Sequence, residues 1–142
     1  MYHKIILVGN LGRDPEMRYT PSGQQVTSFS MATSEKWTGQ DGQVQERTIW
    51  WRVTVWGKQA ENVNQYLKKG SKVLVEGRMA PDPKTGNPRI WTRQDGTPSS
   101  SYEVTALTVK FLSSRGESGA HAEAPAPAEG EAPTTDDEGI PF

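Results

Sequence analysis

The chain has 142 residues and no cysteine, a length suited to one domain of ordinary size and a composition that excludes disulfides, thiolate zinc sites and a cysteine nucleophile. The net charge of −1 averages two unlike parts: residues 1–112 hold 15 Lys/Arg against 10 Asp/Glu, a net of +5, and residues 113–142 hold one Arg against seven acids, a net of −6. A basic body followed by an acidic segment points to nucleic acid as a partner and argues against a uniformly charged surface.

Near the start, Ile5-Ile6-Leu7-Val8 is the longest aliphatic run, too short for a signal core or a membrane span, so a soluble cytoplasmic protein with no membrane contact is expected. Lys4 to Leu11 reads as a first, largely buried strand that stops at Gly12. After the Pro21-Ser22-Gly23 turn, Gln24 to Ser34 is rich in β-branched and aromatic residues and reads as a second strand. The turn-like Thr38-Gly39-Gln40-Asp41-Gly42 precedes a third strand, Glu46 to Trp56. From Lys58 to Lys69 the period changes: Ala60, Val63 and Leu67 recur at helical spacing, two lysines fall in the last turn, and Gly70 supplies a C-cap. A fourth strand, Lys72 to Met79, and a fifth, Ser101 to Leu112, complete the body.

Three strands, one short α-helix and two strands make an all-β protein with the element order of the OB-fold, a five-stranded Greek-key barrel often used to bind oligonucleotides. An SH3-like barrel is the competing architecture, and a full helix between the third and fourth strands disfavours it. The body occupies residues 1–112. Beyond it, residues 113–139 contain no aromatic or large aliphatic residue, and a stretch of Ala, Pro, Glu and Gly cannot bury enough apolar surface to offset its ordering entropy. Residues 113–142 therefore read as a disordered acidic tail.

The third strand carries the strongest chemical signal. Side chains alternate between faces, and Ile49, Trp51, Val53 and Val55 form one apolar set. The other set is Trp50, Arg52, Thr54 and Trp56. Burying an unpaired guanidinium is costly, so this second set belongs on the outside. An exposed aromatic and basic strip suits stacked bases with phosphates alongside, each base contributing about 1–3 kcal/mol of stacking. Trp37 and Trp91, both expected in loops beside basic residues, are further candidate platforms. Candidate phosphate contacts are Lys4, Arg18, Arg52, Lys58, Lys69, Arg89 and Arg93.

Several segments in the right order resemble bacterial single-stranded DNA-binding proteins: Ile5-Ile6-Leu7-Val8-Gly9-Asn10-Leu11-Gly12-Arg13-Asp14-Pro15-Glu16, Ala32-Thr33-Ser34-Glu35-Lys36-Trp37, Trp50-Trp51-Arg52-Val53, Trp56-Gly57-Lys58 and Tyr66-Leu67-Lys68-Lys69-Gly70. The resemblance covers residues 3–112, with a separate match at the last residues. It implies a homotetramer that coats single-stranded DNA without sequence preference, with base-stacking aromatics at Trp37, Trp50, Trp56 and Trp91. The family usually has phenylalanine where Trp56 stands, and histidine or tyrosine near subunit contacts where Trp51 stands. The connection Ala80 to Pro88 is longer and richer in proline than is usual.

The final residues, Asp136, Asp137, Glu138, Gly139, Ile140, Pro141 and Phe142, resemble the acidic, apolar-ended tip by which this family recruits replication, recombination and repair proteins. The chemistry is self-consistent: the acids attract a basic partner, and Ile140 and Phe142 can fill a small pocket. The Glu138-Gly139 step departs from the family's usual aspartate run. An enzyme is not expected. The two histidines, His3 and His121, stand far apart in the sequence and in no metal-ligand spacing, no phosphate-binding loop is present, and no nucleophile–base pair can be drawn. Neither a metal nor a cofactor is expected. A protein-binding OB module and a single-stranded RNA binder are the remaining alternatives.

Overall fold

A computed structural model describes residues 2–113, and residues 114–142 of the tail, with the Ile140-Pro141-Phe142 tip, lie outside the described residues. Nine elements follow in order: β1 (Ile5–Leu11), β2 (Glu16–Tyr19), β3 (Gln25–Thr38), β4 (Val44–Trp56), α1 (Lys58–Tyr66), β5 (Lys72–Met79), β6 (Ile90–Thr92), β7 (Pro98–Ser100) and β8 (Tyr102–Phe111). The main sheet runs β1-β5-β8-β4-β3-β2, and β1 also pairs with β3 through Asn10↔Ala32 and Leu11↔Met31. That extra pairing closes β1, β5, β8, β4 and β3 into a five-stranded barrel, the OB-fold expected from the element order. β4 and β8 run parallel, and the other barrel pairs are antiparallel.

The barrel is filled by the inward set of each strand. Leu7 and Leu11, Phe29 and Met31, Val53 and Val55, Val73 and Val75, and Val104, Ala106 and Val109 form one cluster. Burial of these branched side chains, at about 1.5–3 kcal/mol for a Val or Leu, is the main driving force for closure. Helix α1 covers one end of the barrel with Ala60 and Val63, and the buried Thr27 hydroxyl donates to the Ala60 carbonyl at 2.7 Å.

Three departures from the sequence reading have physical causes. The helix ends at Tyr66 rather than Lys69, so Lys68 and Lys69 lie outside its last turn and Gly70 is not its C-cap. Leu67 is extended and enters the core, the Lys68 N–H donates to Ser71 Oγ, and the Gly70 N–H donates to the Leu11 carbonyl. The chain is thus tied to the end of β1, and tertiary partners override the helical period there.

Second, β3 and β4 continue past Ser34 and start before Glu46, forming a long two-stranded arm. Its register runs to Thr38↔Val44, and the Gly39–Gln43 turn forms its tip. This stretch lacks apolar alternation and reads as loop. It is held instead by charge pairing across the strands: Glu35 with Arg47, Lys36 with Glu46 at 3.4 Å, and a Ser34–Thr48 hydroxyl bond of 2.9 Å.

Third, β2 and the β6–β7 hairpin are additions that the sequence reading lacked. β2 pairs with β3 from Glu16↔Ser28 to Tyr19↔Gln25, and β6 pairs with β7 from Ile90↔Ser100 to Thr92↔Pro98. At four, three and three residues, these strands are too short to carry a period-2 signal. The proline-rich connection before β6 is ordered by Asp82, whose Oδ1 accepts the N–H groups of Lys84 and Thr85 at 2.9 and 3.1 Å. Those bonds, with the nearby Arg89 charge, hold the Asp82 carboxyl below its ordinary range.

Candidate nucleic-acid interface

Register decides which side chains share a face. On β4, Trp50, Arg52, Thr54 and Trp56 stand opposite Ala32, Ser30, Ser28 and Val26 of β3. Ala32, Ser30 and Ser28 thus leave room beside Trp50 and Arg52, while Val26 beside Trp56 is fully buried. Beneath lies the inward set, with Val53 and Val55 fully buried, so the expected two-sided reading of this strand describes the structure. β2 extends the same outer face, since Glu16 stands opposite Ser28 and Arg18 opposite Val26. Arg18 is therefore brought to the Trp56 end of the strip.

At the other end, Trp50 and Arg52 line a cleft of about 270 Å³ with Arg13, Glu16, Ser28, Ser30, Ser101 and Trp91. Trp91 is not in a loop. It sits on β6, and the β6–β7 hairpin carries it to the cleft, which it lines together with Trp50. Gly12 is the reason Trp50 can lie close to the barrel. A Cβ at that position would collide with Trp50 Cζ3 and stand 2.9 Å from Cη2, so the indole rests where a side chain would otherwise be. Trp50 is 56% exposed and Trp91 40%. Two half-open indoles and two guanidiniums around one cleft provide stacking surfaces with phosphate partners within reach.

The chemistry of this cleft fits no catalytic class, and among the described residues no group of three or more His, Asp and Glu could hold a metal ion. No helix of the described residues is long and apolar enough to cross a membrane.

Residues 2–112 match the single-strand binding protein family. The chain belongs to that family. A single-stranded DNA-binding protein of Neisseria meningitidis serogroup A is 44% identical over 115 residues, which cover 81% of this chain and 62% of the relative. One from Wolinella succinogenes is 43% identical, over 83% of this chain and 68% of the relative. A Plasmodium falciparum SSB, solved in complex with single-stranded DNA, superimposes with a TM-score of 0.65 at 26% identity, over 80% of this chain and 97% of that one. The match thus spans about three-fifths of the Neisseria relative's length. These relatives are named as binding proteins, which agrees with the expectation that this family member is not an enzyme.

The remaining candidates fall into three groups. Lys58 opens α1 just after Trp56-Gly57, and Arg89 and Arg93 flank β6, so these three border the aromatic elements. The Lys69 backbone N–H donates to Asp14 Oδ1 at 2.7 Å, which ties its turn to the β1–β2 connection. Lys4 departs from the strip. It forms an ion pair with Glu76 on β5, a hydrogen bond that raises its pKa, and it is absent from the cleft.

Trp37 was expected in a loop and instead stands near the end of β3, opposite Gln45. It belongs to the alternate set of the ladder, with Glu35 and Arg47, and so to the face opposite the Trp50 strip. Trp51 is also on that set. It is half-buried, donates its Nε1–H to Thr33 Oγ1 at 2.8 Å, and leans on Tyr102 with ring centroids 5.2 Å apart.

Arg13 and Arg47 were missed as candidates. Arg13 lies in a turn with no aromatic neighbour in sequence, and only the folding of β2 against β3 brings it to the Trp50 cleft. Its place in the Gly12-Arg13-Asp14 run, next to the glycine that seats Trp50, was the available signal.

Proposed function

We propose that this protein binds single-stranded DNA without sequence preference, coating and protecting it during replication, recombination and repair. The observation that carries this reading is the cleft in which Trp50 and Trp91 converge with Arg52 and Arg13. Indole faces accept any base, and guanidiniums beside them accept the backbone. Family membership and the relatives' names support the same ligand. Trp56 with Arg18 extends the strip along β4 and β2.

Assembly as a homotetramer is part of the proposal. Its support is the apolar outer face of β1, where Ile6 and Val8 are exposed and border a groove shared with the half-buried Ile49. The acidic tip, Asp136 to Phe142, is proposed to recruit genome-maintenance proteins, on the charge and apolar pattern of its sequence. The proposed setting is the cytoplasm, at the nucleoid.

Fluorescence anisotropy of labelled oligo-dT tests the reading. Oligo-dT and a mixed-sequence single strand should bind with similar affinity, and a duplex of the same sequence should compete far less well, because its bases are not free to stack. Equal competition by duplex would show that charge alone drives binding. Preferential binding of single-stranded RNA would move the ligand to RNA.

A further inference from the structure

We propose that Arg47, held by Glu35, is a positioning residue that sets Trp37 as a one-sided stacking platform on the β3–β4 arm; the inference rests on the single-stranded DNA reading above. Ala32 is the last β3 residue paired with β1, so from Thr33 to Thr38 the arm is a two-stranded ribbon. Trp37 is 42% exposed there. A lone indole on such a ribbon would sample several rotamers, and each base stacked on it would have to order it first.

Arg47 removes that freedom. Its guanidinium carbon lies 5.4 Å from the Trp37 ring centroid. Its Nε donates to Glu35 Oε1 at 2.7 Å, and its Nη2 reaches the same oxygen. Glu35 and Arg47 are register partners, and Trp37 lies two residues beyond Glu35 on the same face. The guanidinium is thus held by a carboxylate through two of its nitrogens while its carbon lies over the ring, an arrangement that lysine, with a single nitrogen, could not reproduce. One face of the indole is covered and the other is left for a base. Because Glu35 balances the charge of Arg47 and engages its Nε and Nη2, the role assigned to Arg47 is to act through Trp37 and not as a phosphate contact.

The test uses the full-length chain and a fluorescein-labelled oligo-dT, with Trp37→Ala, Arg47→Gln, Glu35→Gln and the double variants carrying Trp37→Ala. Arg47→Gln and Glu35→Gln should each weaken binding by about two- to five-fold when Trp37 is present, and have no further effect in the Trp37→Ala background. The Glu35→Gln result is diagnostic in sign, because removing an acid would tighten binding if charge alone mattered. The salt dependence of Arg47→Gln should equal that of the parent.

Three results would overturn the inference. One is an Arg47→Gln effect that persists without Trp37 and lowers the slope of log K against log salt by about 0.7, as a lost phosphate contact does on single strands. Another is tighter binding by Glu35→Gln. The third is Trp37→Ala binding as tightly as the parent. If the parent itself does not bind oligo-dT, the single-stranded DNA reading fails instead. A parent that binds, with no coupling at the arm, removes only the role of Arg47. All three residues are exposed, so thermal unfolding of the variants should match the parent and separate these outcomes from misfolding.

Discussion

Replacing Trp50 with alanine should weaken oligo-dT binding by about 10- to 100-fold while leaving the barrel folded. The range follows from base–aromatic stacking of about 1–3 kcal/mol per base, with tenfold in affinity for every 1.4 kcal/mol. Trp50 should fall in the upper part of that range because its position is set by the fold: the indole lies over Gly12, with Arg52 and Trp91 lining the same cleft. Stability should change little, since the side chain is more than half exposed and stands on the outer set of β4, opposite Ala32. Thermal unfolding and anisotropy on the same sample separate the two quantities. A folded variant with a much lower unfolding midpoint and an unchanged DNA affinity would mean that the faces of β4 had been assigned in reverse.

Gly9→Ala should do the converse, lowering stability at a position outside the cleft. Gly9 is buried on β1, where that strand closes on β3. A Cβ there would collide with the carbonyl oxygen of Ala32 and stand 3.2 Å from Met31 Cε. Backbone cannot rotate away as an exposed side chain can, so β1 and β3 must separate or the core must shift. Overpacking of this kind costs about 1–3 kcal/mol. For a domain of this size that lowers the midpoint of thermal unfolding by on the order of 10 °C. An unchanged midpoint would mean that the seam between β1 and β3 is looser than the Asn10↔Ala32 pairing implies.

What the sequence made legible, and what it hid, divides along physical lines. Alternation on β4 was readable because Val53 and Val55 are fully buried and their neighbours Arg52 and Trp56 are not, which is a period-2 pattern under one-sided burial. The barrel strands were readable for the same reason, and the helix from the helical spacing of its buried Ala60 and Val63. The arm was not, because Glu35, Lys36, Glu46 and Arg47 hold it by charge across the ladder and no core lies beneath. Composition cannot distinguish such residues from a solvated loop.

The cleft was half legible. Trp50 and Arg52 are neighbours on one strand, but Arg13 and Trp91 arrive from a turn and a hairpin that pair only in three dimensions. The Lys4–Glu76 pair was hidden for a related reason: nothing in the sequence places Glu76 beside Lys4, and the β1–β5 register does. The opposite placement of Trp37 could have been found by counting. Given a continuous ladder, its partner is Gln45, an odd position on the strand whose even positions carry Trp50 and Trp56.

In the proposed mode of binding, single-stranded DNA stacks on the exposed indoles of the barrel and its hairpins. A titration of oligo-dT against the intrinsic tryptophan emission, repeated at several salt concentrations, tests it most directly. Strong quenching is expected, saturating at a fixed ratio of nucleotides to protein, with an affinity that falls linearly in log salt and a saturated quench that does not. Emission that stays unquenched at low salt, while anisotropy shows the DNA bound, would contradict it.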